Sequence, residues 1–308
     1  MSFLPFEKPI EALHKSARKL RFDGNHAEAA LLEERAQRQL AHLYGELTPW
    51  QRTQVARHPD RPHFVHFVGA MFSDFTPLAG DRTFGEDPAL LGGLARFGGR
   101  PVMLLGTAKG EDTESRLHHN FGMARPEGYR KAARLNEMAG RFGVPVITLV
   151  DTAGAFPGVE AEARGQAEAI ARSIEACLSV TVPVIAVIVG EGGSGGAVAL
   201  ATGNRVLMFE HAVYSVISPE GCASILWRDA NRAADAAEAM KVAAADALQF
   251  GVIDRIIYEP PGGAHRDHAT TFRRLTVALE EELAGLAGAS GEELRRLRRE
   301  KFAGMGSL

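Results

Sequence analysis

The residues from Gly190 to Ala197 read GEGGSGGA and follow the apolar run VPVIAVIV. Three chemistries overlap in this stretch. Gly190-x-Gly192-x-x-Gly195 has the spacing of a dinucleotide-binding turn. Gly192-x-Ser194-x-Gly196 has that of a nucleophile elbow, and Gly190 to Gly195 carry the glycines of a phosphate loop. The phosphate loop fails, because the lysine and hydroxyl that should follow Gly195 are Gly196 and Ala197. For a dinucleotide, Glu210 stands where a ribose-binding acid belongs. Only AVALATGN separates the last glycine from the next apolar run, however, and Gly203-Asn204 reads as a helix stop, leaving about two turns where a crossover helix is normally longer. A hydrolase needs an acid and then a histidine downstream of Ser194, which Asp229 or Asp254 with His265 supply in that order. Without a triad, Ser194 is a small turn residue that caps the following helix.

The elements that must position this stretch occur twice. VPVITLVD is followed by TAGAFPG and then VEAEARGQAEAIARSIEACL; VPVIAVIVG is followed by EGGSGG and then AVALAT. Each is an apolar, β-branched run of the kind buried on both faces of a parallel sheet, then a glycine-rich turn, then a helix. Such a turn presents backbone N–H groups at a helix N-terminus, where the first donors lack partners and the dipole is positive. It suits an anion, or an oxygen that becomes anionic in a transition state.

The rest of the chain frames this core. Residues 1–48 form a helical lead-in, with Leu13, Leu20, Leu32, Ala36, Leu40 and Leu43 at helical spacing. The core spans 49–260, and residues 261–308 return to helical spacing after EPPGGAHRD. The basic run EELRRLRREKF near the end reads as a solvated helix face. With 308 residues, 45% hydrophobic and 24% charged, the chain is long enough for a full core. A net charge of −3 provides no overall electrostatic footprint for nucleic acid or an anionic membrane. Two cysteines, Cys177 and Cys222, with no Cys-x-x-Cys pair, exclude a disulfide framework and a cysteine-based zinc site within the chain. The N-terminus has no basic start followed by an apolar core, and the longest aliphatic run, Val182 to Gly190, is far short of the ~20 residues of a spanning helix. A cytoplasmic protein without signal peptide or membrane span is expected.

Longer strings decide among these readings. NFGMARPEGYRKAARL (120–135), DTAGAFPGVEAEARGQAEAIAR (151–172), GEGGSGGA and YSVISPEGCASILW (214–227) stand in an order and spacing that resembles the carboxyltransferase alpha-subunit family of bacterial acetyl-CoA carboxylase. ARHPDRP, LAGDR, GRPVM and PGGAHR also match, so the resemblance covers nearly the whole chain.

The resemblance implies an α/β, crotonase-like (ClpP/crotonase) spiral of ββα units with helical N- and C-terminal extensions. It implies transfer of the carboxyl group of carboxybiotin, borne on a biotin carboxyl carrier protein, to acetyl-CoA. The product is malonyl-CoA, for fatty acid synthesis. The implied partners are a homologous beta subunit in an alpha2-beta2 heterotetramer, the carrier protein and biotin carboxylase, with ATP used only at the level of the complex. Zinc is expected in the beta subunit and no metal here. On this reading Gly195 and Gly196 offer backbone N–H groups as one of two oxyanion holes, with Gly192, Gly193 and Ser194 shaping the turn. Gly154, Ala155, Phe156 and Gly158 line the same cavity, Phe156 equally suited to packing. Ser218, Glu220 and Gly221 buttress it, Ser218 capping a helix with Pro219 at its first position, and Cys222 is a small buried residue. Lys109, Arg130 and Lys131 are the candidates for CoA phosphates, although GEDTESRLHHNFGM after Lys109 is less basic than in many relatives. The other class of function is a stand-alone crotonase-fold enzyme or serine hydrolase acting on an acyl thioester through Ser194.

Overall fold

In a computed structural model the chain is described from residue 2 to residue 306. Eight strands form one mixed sheet: β1 (Ser73–Pro77), β2 (Leu90–Phe97), β3 (Arg100–Thr107), β4 (Val146–Thr152), β5 (Val184–Gly193), β6 (Arg205–Phe209), β7 (Val213–Ser215) and β8 (Arg255–Ile257). The order is β1-β2-β3-β4-β5-β6-β8. β1 to β3 form an antiparallel meander; from β3 onward every pairing is parallel. Gly98 and Gly99 close the β2–β3 hairpin, both at positive φ (54° and 77°), as a tight two-residue turn requires. β4 and β5 are buried along their whole length, because helices cover both faces, and this is why their sequences are continuously apolar rather than alternating. β5 pairs with β6 through Ile185–Ile188 and then leaves it, and its last residues, Glu191–Gly193, pair with β7.

The two strand-turn-helix units expected from the sequence are present, with one difference. The segment after the first turn is not one helix but two, Val159–Ala163 and Gln166–Ser179. Gly165 at φ 79° stands between them, a left-handed conformation that ends a helix. The second turn opens directly into the short helix Ser194–Ala201, which stops before Gly203-Asn204 as the sequence indicates.

The lead-in folds as the helix pair Lys8–Phe22 and His26–Gly45, closing a small core of Ile10, Ala36, Leu40, Tyr44, Leu47 and Val55. Fully buried Glu7 ties it to the C-terminal segment, accepting from Tyr44 Oη at 2.9 Å and from Arg266 at 2.6 Å.

The C-terminal basic helix corrects the sequence reading. Arg295 and Arg296 are solvated and pair with Glu292 and Glu300, but Arg298 is fully buried. Its guanidinium donates to the carbonyls of Cys177, Val180 (2.9 Å) and Val182 (2.7 Å) and to Asn204 Oδ1 (2.6 Å). The Cys177 and Val180 carbonyls belong to the end of the helix Gln166–Ser179, where no intrahelical donor remains. A long basic side chain can fold inward here because the last helix crosses that end, so burial brings partners with it. Burial lowers the Arg298 pKa to about 10. Arg298→Met strands several carbonyls at once, and we expect a loss of about 3–5 kcal/mol of unfolding free energy, read from denaturant midpoints, whereas Arg296→Met should shift it by less than about 0.5 kcal/mol.

Candidate active site

The site begins at an irregularity in β5. Val150 pairs with Ile188, but the next pair is Thr152 with Gly192, so β5 spends four residues where β4 spends two. Such a bulge frees backbone groups that must find other partners. Glu191 N–H donates to Asp151 Oδ1 at 2.9 Å, and the Val189 carbonyl accepts from Arg61 Nε at 2.8 Å. A Cβ on Gly190 would overlap the Asp151 carboxylate, so only glycine fits. Arg61 in turn grips Glu259 through both ends of its fork (2.8 and 2.6 Å), and Glu259 also accepts from the N–H groups of His211 and Ala264. Burial opposes the charge of Glu259, but Arg61 and these donors outweigh it and hold the carboxyl down at about 2.

Past the bulge the two glycine turns lie against each other. A Cβ on Gly193 would overlap the Ala153 carbonyl; one on Gly196 would stand 2.6 Å from Tyr129 Oη and 2.7 Å from Ala155 N. A Cβ on Gly154, whose φ is 150°, would come within van der Waals contact of Ser194 Cβ at 3.6 Å. Gly195 differs, since an added Cβ would make an ordinary contact with Ile170 at 3.6 Å. Gly192 faces Tyr214 and Ile188. Ser194 does not cap the helix, contrary to the sequence reading: Gly193 occupies the cap, no side-chain cap bond forms, and Ser194 is the first helical residue at φ 56°. Gly195 and Gly196 are the second and third residues of that helix, so their N–H groups have no intrahelical acceptor and stand at its positive end.

No triad assembles. Among the described residues Ser194 Oγ has no hydrogen bond to a histidine or carboxylate. His265 is buried and stacked on His58 at 3.9 Å, Asp254 accepts from Val206 N–H and pairs with Lys301, and Asp229 accepts from Asn231 N–H.

A chain of charges that the sequence reading missed runs beside the turns. Lys109 Nζ contacts Asp151 Oδ1 at 2.7 Å and Glu191 Oε2 at 2.8 Å. Arg57 Nε contacts Glu191 Oε1 at 2.6 Å, and its Nη1 reaches Glu220 Oε1 at 2.5 Å. Burial penalises each charge. Lys109 nevertheless holds Asp151 well below the carboxylate range, Lys109 and Arg57 lower Glu191, and Asp151 and Glu191 together raise Lys109. With His63, Arg116, Phe121 and Ala153 these groups line a cavity of about 350 Å³. The available signal was an acid at the end of each apolar run, where a charge must be paired if buried. Lys109 is thus committed to two acids. Lys131, 1% exposed, pairs with Glu86 and the Asp87 carbonyl, and Arg130 pairs with Asp81 at 2.7 Å. Ser218 caps its helix as expected, accepting from Gly221 N–H at 3.1 Å with Pro219 first in the helix. Phe156 packs under Arg125 and fills the space a Gly158 Cβ would need, while the Ala155 and Gly158 backbones are partly exposed. Cys222 is half-exposed rather than buried. No group of three or more His, Cys, Asp or Glu among the described residues is arranged to hold a metal, and no described helix is long and apolar enough to cross a membrane.

Comparison with known proteins bears on what such turns do. A family model described as acetyl co-enzyme A carboxylase carboxyltransferase-like matches residues 3–306. The acetyl-coenzyme A carboxylase carboxyl transferase subunit alpha of Methylobacterium sp. (strain 4-46) is 62% identical over 99% of this chain and 98% of its own length. The protein of the same name from Sphingopyxis alaskensis is 60% identical over 99% of both chains. Among solved structures, transcarboxylase 12S superposes with a TM-score of 0.59 at 21% identity over 74% of this chain and 42% of that one, so this chain spans less than half of it. A Pseudomonas malonate decarboxylase MdcD-MdcE hetero-dimer gives 0.57 at 20% identity, covering 70% and 87%. The likeness to these structures is one of fold, the crotonase-like α/β fold of carboxyltransferases.

The Arg61–Glu259 pair beneath the bulge makes a pH prediction. Because the folded carboxyl is depressed, its contribution is complete above the ordinary value of 4.5 and is lost as pH falls toward 2, a difference of ~3 kcal/mol. Urea unfolding of the wild type and Glu259→Gln should therefore differ most at neutral pH and converge as pH falls through that window.

Proposed function

The chain belongs to the acetyl-CoA carboxylase carboxyltransferase alpha-subunit family, and from this we propose that it supplies half of a shared active site through the turn Gly192–Gly196. As a subunit of a multi-subunit carboxyltransferase it works on acetyl-CoA and a carboxylated biotin. We place its partners as a beta subunit, in an alpha2-beta2 heterotetramer, and a biotin carrier loaded by a biotin carboxylase.

The chemistry requires negative charge to be stabilised twice. Acetyl-CoA loses a proton beside a thioester, so its carbonyl oxygen becomes an enolate oxygen; loss of CO2 from the carboxylated ureido nitrogen leaves charge on the ureido group. Preorganised N–H groups in a water-poor turn can lower such a barrier by ~3 kcal/mol. The single observation that carries the proposal is the packing of the two turns: Gly193 and Gly196 have no room for a Cβ, and Gly195 and Gly196 stand in the first turn of the helix, where N–H groups lack intrahelical acceptors. In this reading the hole faces the ureido group, and Gly154, Ala155, Phe156 and Gly158 wall the same cavity. The ureido nitrogen, once CO2 has left, takes the acetyl proton, so no general base is asked of the turns.

Malonyl-CoA decarboxylation stimulated by free biocytin tests this. Activity should appear only when this chain is mixed with the beta subunit; turnover by this chain alone would overturn the shared site. In the mixture Ser194→Gly should retain most activity, since glycine favours the positive φ of Ser194, whereas a serine hydrolase would lose nearly all. Gly196→Val should lower kcat by about 100-fold or more by prising the turns apart.

A further inference from the structure

The two glycine turns leave the sheet from different strands, β4 and β5, yet each is preceded by an acid, Asp151 and Glu191. One ammonium, Lys109 Nζ, touches both, at 2.7 and 2.8 Å. The lysine itself comes from a third strand end, just past β3. Its stem is fixed from above: a Cβ on Gly122 would stand 2.8 Å from Lys109 Cγ, and the roofing residues Asn120, Phe121 and Gly122 all hold positive φ (46°, 54° and 77°). Two successive non-glycine residues in that conformation cost energy and persist only where the surroundings demand it. Thr107, at the end of β3, holds the same place from below, its Oγ1 accepting from Asp151 N–H at 2.7 Å. Two of the three ammonium donors are thereby directed at the acids that precede the turns.

We propose that Lys109 is a positioning residue for carboxyl transfer: it locks the β4 and β5 turns into one register and so sets where the N–H groups of Gly195 and Gly196 point. The inference rests on the reading of that turn as an oxyanion site. It has an electrostatic side as well. Lys109 and Arg57 carry two positive charges against the three negative charges of Asp151, Glu191 and Glu220, a net of −1. Removing the lysine leaves −2 close to where an oxyanion forms, so kcat should fall through both geometry and repulsion, while binding of CoA, in which the proposal gives Lys109 no part, should not change.

The test uses the reconstituted complex with the beta subunit, malonyl-CoA and biocytin. Lys109→Met should lower kcat by about 100-fold or more, with KM for malonyl-CoA within about threefold of wild type. Lys109→Arg, which keeps the charge but not the point contact, should fall about tenfold and decides the matter if the methionine variant does not fold. A pH profile separates positioning from support alone. Asp151 and Glu191, left adjacent, should share a proton more readily, so the kcat ratio of Lys109→Met to wild type should rise as pH drops from 8 to 6. The other charged or titratable groups around that pair are His63, 3.9 Å from Asp151 Oδ2, Arg57 on Glu191 with Glu220 behind it, and His58 and Arg116 in the lining of the same cavity. The same profile with His63→Gln in both backgrounds should keep the rise. An unchanged kcat in either lysine variant, a KM rise with kcat intact, or a pH-independent ratio would each overturn the proposal. An inactive wild-type complex would instead overturn the functional reading on which it rests.

Discussion

The Asp151 carboxylate lodged beneath Gly190 is the contact on which the site depends. A parallel ladder between β4 and β5 would carry both strands straight on, and the two turns would leave the sheet without meeting. The two extra residues of β5 break that ladder, and Asp151 repairs it by accepting the Glu191 N–H that no strand partner reaches. Arg61 repairs the other side at the Val189 carbonyl. A bulge left unsatisfied in the middle of a fully buried strand would cost roughly 1–3 kcal/mol for each stranded group; satisfied, it becomes a rigid bend that swings β5 from β6 to β7.

Everything above the bulge is built from backbone. Glycine at 193 and 196 is required by contact between two packed turns, not by turn conformation, for neither residue has positive φ. The side chains that matter stand one layer back, and they are charged: Lys109 between Asp151 and Glu191, Arg57 between Glu191 and Glu220. In a region shielded from water such charges hold positions firmly because misplacing one leaves another unpaired. Backbone donors at the proposed site, with ion pairs behind them, suit a reaction whose demand is for stabilised oxyanions rather than for a strong acid or base.

The extensions serve the same rigidity from outside. Glu7 ties the first helix pair to Tyr44 and to Arg266 in the C-terminal segment, and Arg298 caps the carbonyl end of the helix Gln166–Ser179 while also gripping Asn204 ahead of β6. These are long-range bonds between residues more than thirty positions apart, and each satisfies polar groups that a bare core would have left without partners.

The sequence by itself determined the strands β4 and β5, the turns after them, the short helix after the second turn and the helical ends. These follow from local rules: continuous apolar runs, glycine clusters and helical spacing are each written within a few residues. Its longer strings also carried the family. Ser218 as a cap beside Pro219 was legible for the same reason. Three features were decided only by the tertiary structure. The basic helix near the end reads as solvated because Arg298 looks like its neighbours, and only the crossing of another helix's end buries it. Lys109 and Lys131 stood in the sequence as candidates for CoA phosphates, and their pairing with acids was not legible because those acids lie tens of residues away. Ser194 reads as a cap because serine caps helices, but its left-handed backbone at the junction of two packed turns makes it the first helical residue instead. Burial and charge pairing depend on which distant segments meet, and that information resides in the packing of the whole chain rather than in any window of it.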